Sequence, residues 1–279
     1  MILSTVVKTE SDLRIDHNSK CLFLGSCFAQ NISDKAVYYG FNVCHPFGAI
    51  YNPASVLKCL NILKGCTLVS ESDLIPDRHL FSHYDFHSKY SDTDKSDAVK
   101  KMNDAVCNGH KFFNDADYII ITFGTTGIYK LKSSGMVVAN CHHTDQKEFT
   151  REILPIDWIT DNYSDFVRQF PNKRFIFTVS PIRYRKDGYH QSKLSKATLL
   201  IAIDRICSQN ANCSYFPSYE IMDDELRDYR FYAADMIHPS TVAIDYIWEK
   251  FADTYFPDET KLKCKEFEKI RLSENHKIS

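Results

Sequence analysis

Three stretches of near-continuous apolar residues, 21–25, 118–124 and 174–181, are separated by segments in which apolar positions recur every three or four residues. Runs apolar on every position predict strands buried on both faces, and the three-to-four spacing predicts amphipathic helices between them. Residues 28–39 form the first such helix, with Phe28, Ile32, Ala36 and Tyr39 on one side and Gly40 ending it. A short strand follows at 41–44, then a turn at Pro46-Phe47-Gly48. Asn52-Pro53 fits an N-cap with proline at the first helical position, opening a helix to residue 63.

Helices are further predicted at 96–113, 157–170, 192–208 and 240–256, the third with Leu194, Leu199, Ile203 and Ile206 on one face. Residues 129–143 fit a hairpin turning at Ser133-Ser134-Gly135, and 213–217 a short last strand. Residues 66–95 are polar and irregular, a long loop of the kind that closes over a site. Strands alternating with helices predict an α/β fold: a parallel sheet of about five strands covered on both faces. One domain over residues 1–257 is expected, with insertions near 66–116 and 128–150 and a peripheral tail at 258–279.

Composition removes several function classes. The chain has 279 residues, 44% hydrophobic and 25% charged, with a formal net charge of -2. That is ordinary globular composition with no attraction for nucleic acid or anionic membrane. No stretch approaches the length of a membrane span, and the start lacks a basic flank before an apolar run, so a soluble cytoplasmic protein is expected. The ten cysteines sit in periodic apolar segments without compact spacing, as buried thiols do in a reducing compartment. Cys141-His142-His143, Cys44-His45 and the His83, His87 pair are zinc-ligand types, but no zinc or calcium spacing occurs and no metal is expected. No glycine-rich phosphate cradle is present either, so no cofactor is expected.

Candidate chemistry concentrates where strands end. In a parallel α/β sheet ligands bind beyond the carboxyl ends of the strands. Ser26, Gly48, Gly124-Thr125, Ser180 with Arg183, and the segment Asp235-Met236-Ile237-His238 all fall on that edge. Ser26 is either an N-cap or a nucleophile whose own N–H faces a developing oxyanion. His238 would take its proton if a carboxylate holds the other ring nitrogen, and Asp235 lies three residues before it. The same spacing also suits a turn cap. Gly48 serves either a turn of positive φ or a second backbone donor. Thr125, Thr126 and Asn140 compete as a third, side-chain donor. Cys27 cannot share an electrophile with Ser26 from the adjacent position, and the Cys21, Cys27 pair is expected to face the core.

The peptide Gly25-Ser26-Cys27-Phe28-Ala29 resembles the signature of the GSCFA domain family, a branch similar to the SGNH or GDSL hydrolases. The resemblance extends over roughly 21–256. It includes Pro46-Phe47-Gly48 with Tyr51-Asn52-Pro53, Asp85-Phe86-His87-Ser88, Phe123-Gly124-Thr125, Asn140-Cys141-His142 and Ser180-Pro181-Ile182-Arg183. Phe216-Pro217-Ser218-Tyr219-Glu220 and Asp235-Met236-Ile237-His238-Pro239-Ser240 complete it. It implies a three-layer α/β/α sandwich of the SGNH-hydrolase, flavodoxin-like kind. It further implies Ser26 as nucleophile, His238 as base, Asp235 as its orienter and Gly48 as oxyanion donor.

One departure is plain: where the SGNH pattern has Gly-x-Asn-Asp, this chain has Gly124-Thr125-Thr126-Gly127. Asn140 or Thr125 would have to replace the missing amide. The motif residues His87, Asn140, His142, Arg183 and Tyr219 suit a polar, hydroxyl-rich or anionic substrate rather than a lipid. The expected activity is removal of O-acyl groups, acetyl in particular, from a carbohydrate or other small polar ester. O-acyl transfer from the same site and non-catalytic ligand binding are the alternatives.

Overall fold

The computed structural model describes residues 5–278, so the start Met1-Ile2-Leu3-Ser4 and the last residue of the tail lie outside the described residues. Elements follow in the order β1 (Lys20–Gly25), α1 (Cys27–Tyr38), β2 (Asn42–Cys44), α2 (Pro53–Gly65), β3 (Ile75–Asp77), β4 (Leu80–Ser82) and α3 (Lys95–Asp115). Then come β5 (Tyr118–Phe123), β6 (Gly127–Leu131), β7 (Val137–Val138), β8 (Phe149–Ile153), α4 (Ile156–Arg168), β9 (Arg174–Val179) and α5 (Tyr189–Gln209). The chain finishes with β10 (Cys213–Tyr215), the single turn α6 (Ser218–Glu220), α7 (Thr241–Tyr255) and α8 (Asp258–Ile278).

Alternation along each strand divides the core between two faces of the sheet. Leu22, Leu24, Ile119, Ile121, Phe123, Phe175, Phe177 and Val179 enter one cluster with buried residues of α2, α3, α4 and α5. The intervening Cys21, Phe23, Ile120 and Ile176 point the other way, into a second cluster with α1 and α7. The result is an α/β/α arrangement of three layers around five parallel strands in the order β10-β9-β5-β1-β2. Counted by sequence within the sheet this is 2-1-3-4-5, the flavodoxin-like order, and its direction reverses between β1 and β5. Ser26 follows β1 and Gly124 follows β5, so the two residues flank the switch point where ligands gather in such sheets.

Local chemistry explains most boundaries. Ser26 caps α1 by accepting a bond from the Phe28 N–H, and Asn52 caps α2 through the Ser55 N–H with Pro53 in the first turn. Ser240 does the same for α7 through Ala243. Three expectations are corrected. Residues 66–95 contain the small hairpin β3–β4. β8 pairs with β6 from Gly127↔Ile153 to Leu131↔Phe149, beyond the expected 129–143 hairpin. Leu194 is 47% exposed, and the inward position of that helical turn belongs to Lys196, only 3% exposed. The tail forms the 21-residue α8, where Phe267 stacks on His17 at 5.6 Å.

Candidate functional site

Gly25 determines how Ser26 is presented. Its φ is +135°, and a Cβ there would lie 2.1 Å from the Thr122 carbonyl oxygen, so no side chain fits between β1 and β5. The chain then turns into α1 with Ser26 as N-cap. Ser26 is fully buried; its Oγ accepts from Phe28 N at 3.3 Å and its N–H donates to Thr122 O at 3.2 Å. The expected oxyanion donor is thus engaged in the sheet ladder. Cys27, expected to face the core, is half-buried, with its Sγ 3.0 Å from the Tyr51 hydroxyl.

Gly48 has φ +74°, and a Cβ on it would lie 2.6 Å from His87 Cβ. The turn reason for glycine therefore holds, and the close packing of His87 adds a second steric one. Among the described residues the Gly48 N–H has no hydrogen-bond acceptor. The half-buried His87 ring accepts from Lys89 N through Nδ1. Burial first, then the Lys89 charge, lowers its pKa below that of an ordinary histidine.

Asp235 and His238 meet. Asp235 Oδ2 lies 2.6 Å from His238 Nδ1, while Oδ1 accepts from Ile237 N at 2.8 Å and from His238 N at 3.0 Å. Met236, with φ +57°, turns the backbone tightly enough for one carboxylate to reach all three groups. The imidazole bond first, then the two backbone N–H groups, holds the Asp235 pKa far below the usual carboxylate range. Both side chains are 44% exposed, so His238 does not pack beneath the turn. With Nδ1–H donated to the carboxylate, Nε2 is the accepting nitrogen. Among the described residues no hydrogen bond joins it to Ser26.

The other candidates separate into distinct places. Asn140 donates its amide to the Phe86 carbonyl at 3.0 Å. Thr125 Oγ1 accepts from Gly127 N and approaches Ser195 Oγ at 3.3 Å, at the base of a narrow crevice also lined by Arg151 and Asp187. Each is thus already engaged by a protein partner. His142 is 3% exposed in its side chain, with Nε2 on the His83 carbonyl and Nδ1 3.5 Å from Asp77. Arg183 and Tyr219 instead line the same open cavity of about 380 Å³. The Arg183 N–H donates to the Ile237 carbonyl at 3.0 Å, which joins that cavity's wall to the turn carrying His238.

Sequence reasoning gave no role to two residues here. Lys196 reaches the sheet edge from α5 and donates to the carbonyls of Gly124 at 2.8 Å and Ser180 at 2.7 Å. Burial, and next the Lys193 charge, lowers its pKa to about 7. Its signal was a lysine in phase with Leu199, Ile203 and Ile206. Tyr51 is the other; its carbonyl accepts from the Gly124 and Thr125 N–H groups, tying the β2 exit to the β5 exit.

A second buried polar cluster lies in the insertion. Asp77, 4% exposed, accepts from Ser82 Oγ at 3.0 Å and from His143, with His142 alongside. Burial works against its charge, but the bonds from His143 and Ser82 outweigh it and its pKa is lowered. Here the carboxylate stands between hydroxyl and imidazole, whereas proton transfer from a serine needs the imidazole in the middle. Among the described residues no group of three or more His, Cys, Asp or Glu could hold a metal ion. Nor is any described helix long and apolar enough to cross a membrane.

A solved structure provisionally described as a platelet activating factor from Streptococcus pneumonia is similar over 84% of this chain and 83% of that chain, at 11% identity and a TM-score of 0.43. No curated protein matches the chain. The GSCFA family model matches residues 20–251, a span that takes in all five strands of the parallel sheet, Ser26 and the Asp235–His238 turn, and the chain belongs to the GSCFA family.

Proposed function

We propose that this chain is a cytoplasmic serine esterase of the SGNH type that removes O-acyl groups, acetyl in particular, from a carbohydrate or other small polar substrate. The observation that carries the reading is the Asp235–His238 pair, formed at 2.6 Å on the sheet edge that Ser26 also occupies. In it Asp235 orients the ring and stabilises the imidazolium that appears when Nε2 accepts a proton. Ser26 Oγ attacks the ester carbonyl and its proton passes to His238. The tetrahedral oxyanion is received by the free Gly48 N–H and, once it leaves Thr122 O, by the Ser26 N–H. His238 then protonates the departing alcohol, and water attacks the acyl-serine with the same histidine as base.

Two features set the rate expected of such a site. Ser26 is covered in this structure, so turnover requires its cover to move and bring the hydroxyl to His238. The side-chain oxyanion donors Asn140 and Thr125 are engaged elsewhere, and loss of one donor costs about 10²–10³ in kcat. A slow esterase follows. Replacing Ser26 with Ala is expected to lower turnover of a chromogenic acetyl ester by more than about a hundredfold. Unchanged turnover would leave only binding, or chemistry at another residue.

A further inference from the structure

The cavity beside the Asp235–His238 turn is a small-molecule site in size, about 380 Å³ against the roughly 300–1,000 Å³ of ligand pockets. Its charges can be accounted for group by group. Lys193 pairs with Asp223 at 2.7 Å, Arg227 faces Asp224 at 3.8 Å, and Asp228 pairs with Arg230 at 3.0 Å. Lys196 is held by two carbonyls. That leaves Arg183, which among the described residues has no carboxylate partner.

Arg183 makes one side-chain hydrogen bond, from Nη1 to the Met236 carbonyl at a long 3.4 Å. Three rings surround its guanidinium carbon: Tyr189 at 4.7 Å, Tyr232 at 5.2 Å and Tyr229 at 5.5 Å. These contacts fix the plane of the group while leaving most of its five N–H donors unused. A planar fork held this way matches a carboxylate or phosphate with two parallel bonds. The hydroxyls of the three tyrosines have no hydrogen-bond partner among the described residues, and all three tyrosines line the cavity, where each hydroxyl can donate to and accept from a ligand.

We propose that this cavity binds the alcohol half of the substrate and that the alcohol is an anionic carbohydrate, its acid group on Arg183 and its hydroxyls on Tyr189, Tyr229 and Tyr232. This rests on the esterase reading above and names the substrate class for that same site. The Arg183–Ile237 backbone bond and the Arg183–Met236 contact tie this arginine to the two residues that precede His238, the group that on the proposed reading protonates the departing alcohol.

Calorimetric titration of the purified chain with glucuronate, glucose 6-phosphate, glucose and inorganic phosphate tests the assignment. At least one of the two acidic sugars should bind ten times more tightly than glucose and more tightly than phosphate. Which of them does so identifies the acid. Arg183→Gln should reduce that affinity to the level of glucose, while Arg183→Lys, lacking the fork, should recover only part of it. Tyr229→Phe, on a 66% exposed ring, keeps the fold and should weaken the acidic sugar at least threefold without changing phosphate binding. Equal binding of acidic and neutral sugars, no binding of either, or full affinity after Arg183→Gln would overturn the proposal.

Ser26→Ala separates it from the esterase reading. If that variant keeps its turnover while Arg183 still governs binding, the esterase reading falls and the subsite stands. If Ser26 proves essential and no sugar binds, the reverse holds.

Discussion

Asp235 makes three hydrogen bonds within four residues, two that shape the turn and one that aligns the His238 ring. An amide at this position keeps the shape but must present its N–H₂ or its oxygen, and it cannot stabilise an imidazolium. Asp235→Asn is therefore expected to reduce kcat on the order of 10³–10⁴-fold with little change in KM, measured on the acetyl ester. A proportionate rise in KM would mean the carboxylate acts on binding instead.

Lys196 carries a different consequence. Its pKa in the fold, about 7, is below that of a free lysine near 10.4. Below pH 7 both folded and unfolded chains hold the proton, and burial of the charge is costly in full. Between roughly pH 7 and 10.4 only the unfolded chain holds it, so stability attributable to this group rises with pH. Urea titrations should show wild type gaining on Lys196→Met by about 1.4 kcal/mol per pH unit above pH 7. A difference between the two that is flat from pH 6 to 9 would mean the two carbonyls keep the ammonium charged throughout.

At the scale of elements, Ser26 has two duties that one substitution confounds. As the cap of α1 it satisfies the Phe28 N–H, and Ala at an N-cap costs about 0.5–2 kcal/mol where Gly costs only a few tenths. Ser26→Ala should therefore lower the unfolding free energy by about 1 kcal/mol, and Ser26→Gly by much less. Both should abolish turnover alike. Activity that instead follows stability across the two variants would make Ser26 a structural residue.

Elements also differ in how far they could be read from residues alone. β1, β5 and β9 were legible because burial on both faces leaves them apolar at every position. The caps Asn52-Pro53 and Ser240 were legible because their chemistry is local. β8, with the sequence Phe-Thr-Arg-Glu-Ile and four exposed positions, has no apolar alternation and exists through its pairing with β6. The surroundings of Arg183 were hidden for another reason. Tyr189, Tyr229 and Tyr232 come from two segments about forty residues apart in sequence that only the fold joins, and each ring alone reads as an ordinary surface tyrosine.

For the whole molecule, the parallel sheet carries the exits of β1 and β9 to one edge, and the Arg183–Ile237 bond ties the loop of Asp235 and His238 to the β9 exit. Within that edge the Asp235–His238 pair is assembled and half-exposed, while Ser26 lies beneath the surface. On the proposed reading, catalysis requires Ser26 to be uncovered. In the insertion, Asp77 bonds both the Ser82 hydroxyl and the His143 imidazole, so hydroxyl, carboxylate and imidazole are in direct contact there. The account's central claim, that Ser26 is the nucleophile served by His238, is tested most directly by fluorophosphonate labelling with the modified residue mapped by mass spectrometry. It predicts one adduct, on Ser26, formed far more slowly in His238→Ala. An adduct on Ser82, or an active enzyme whose Ser26 is never labelled, would contradict it.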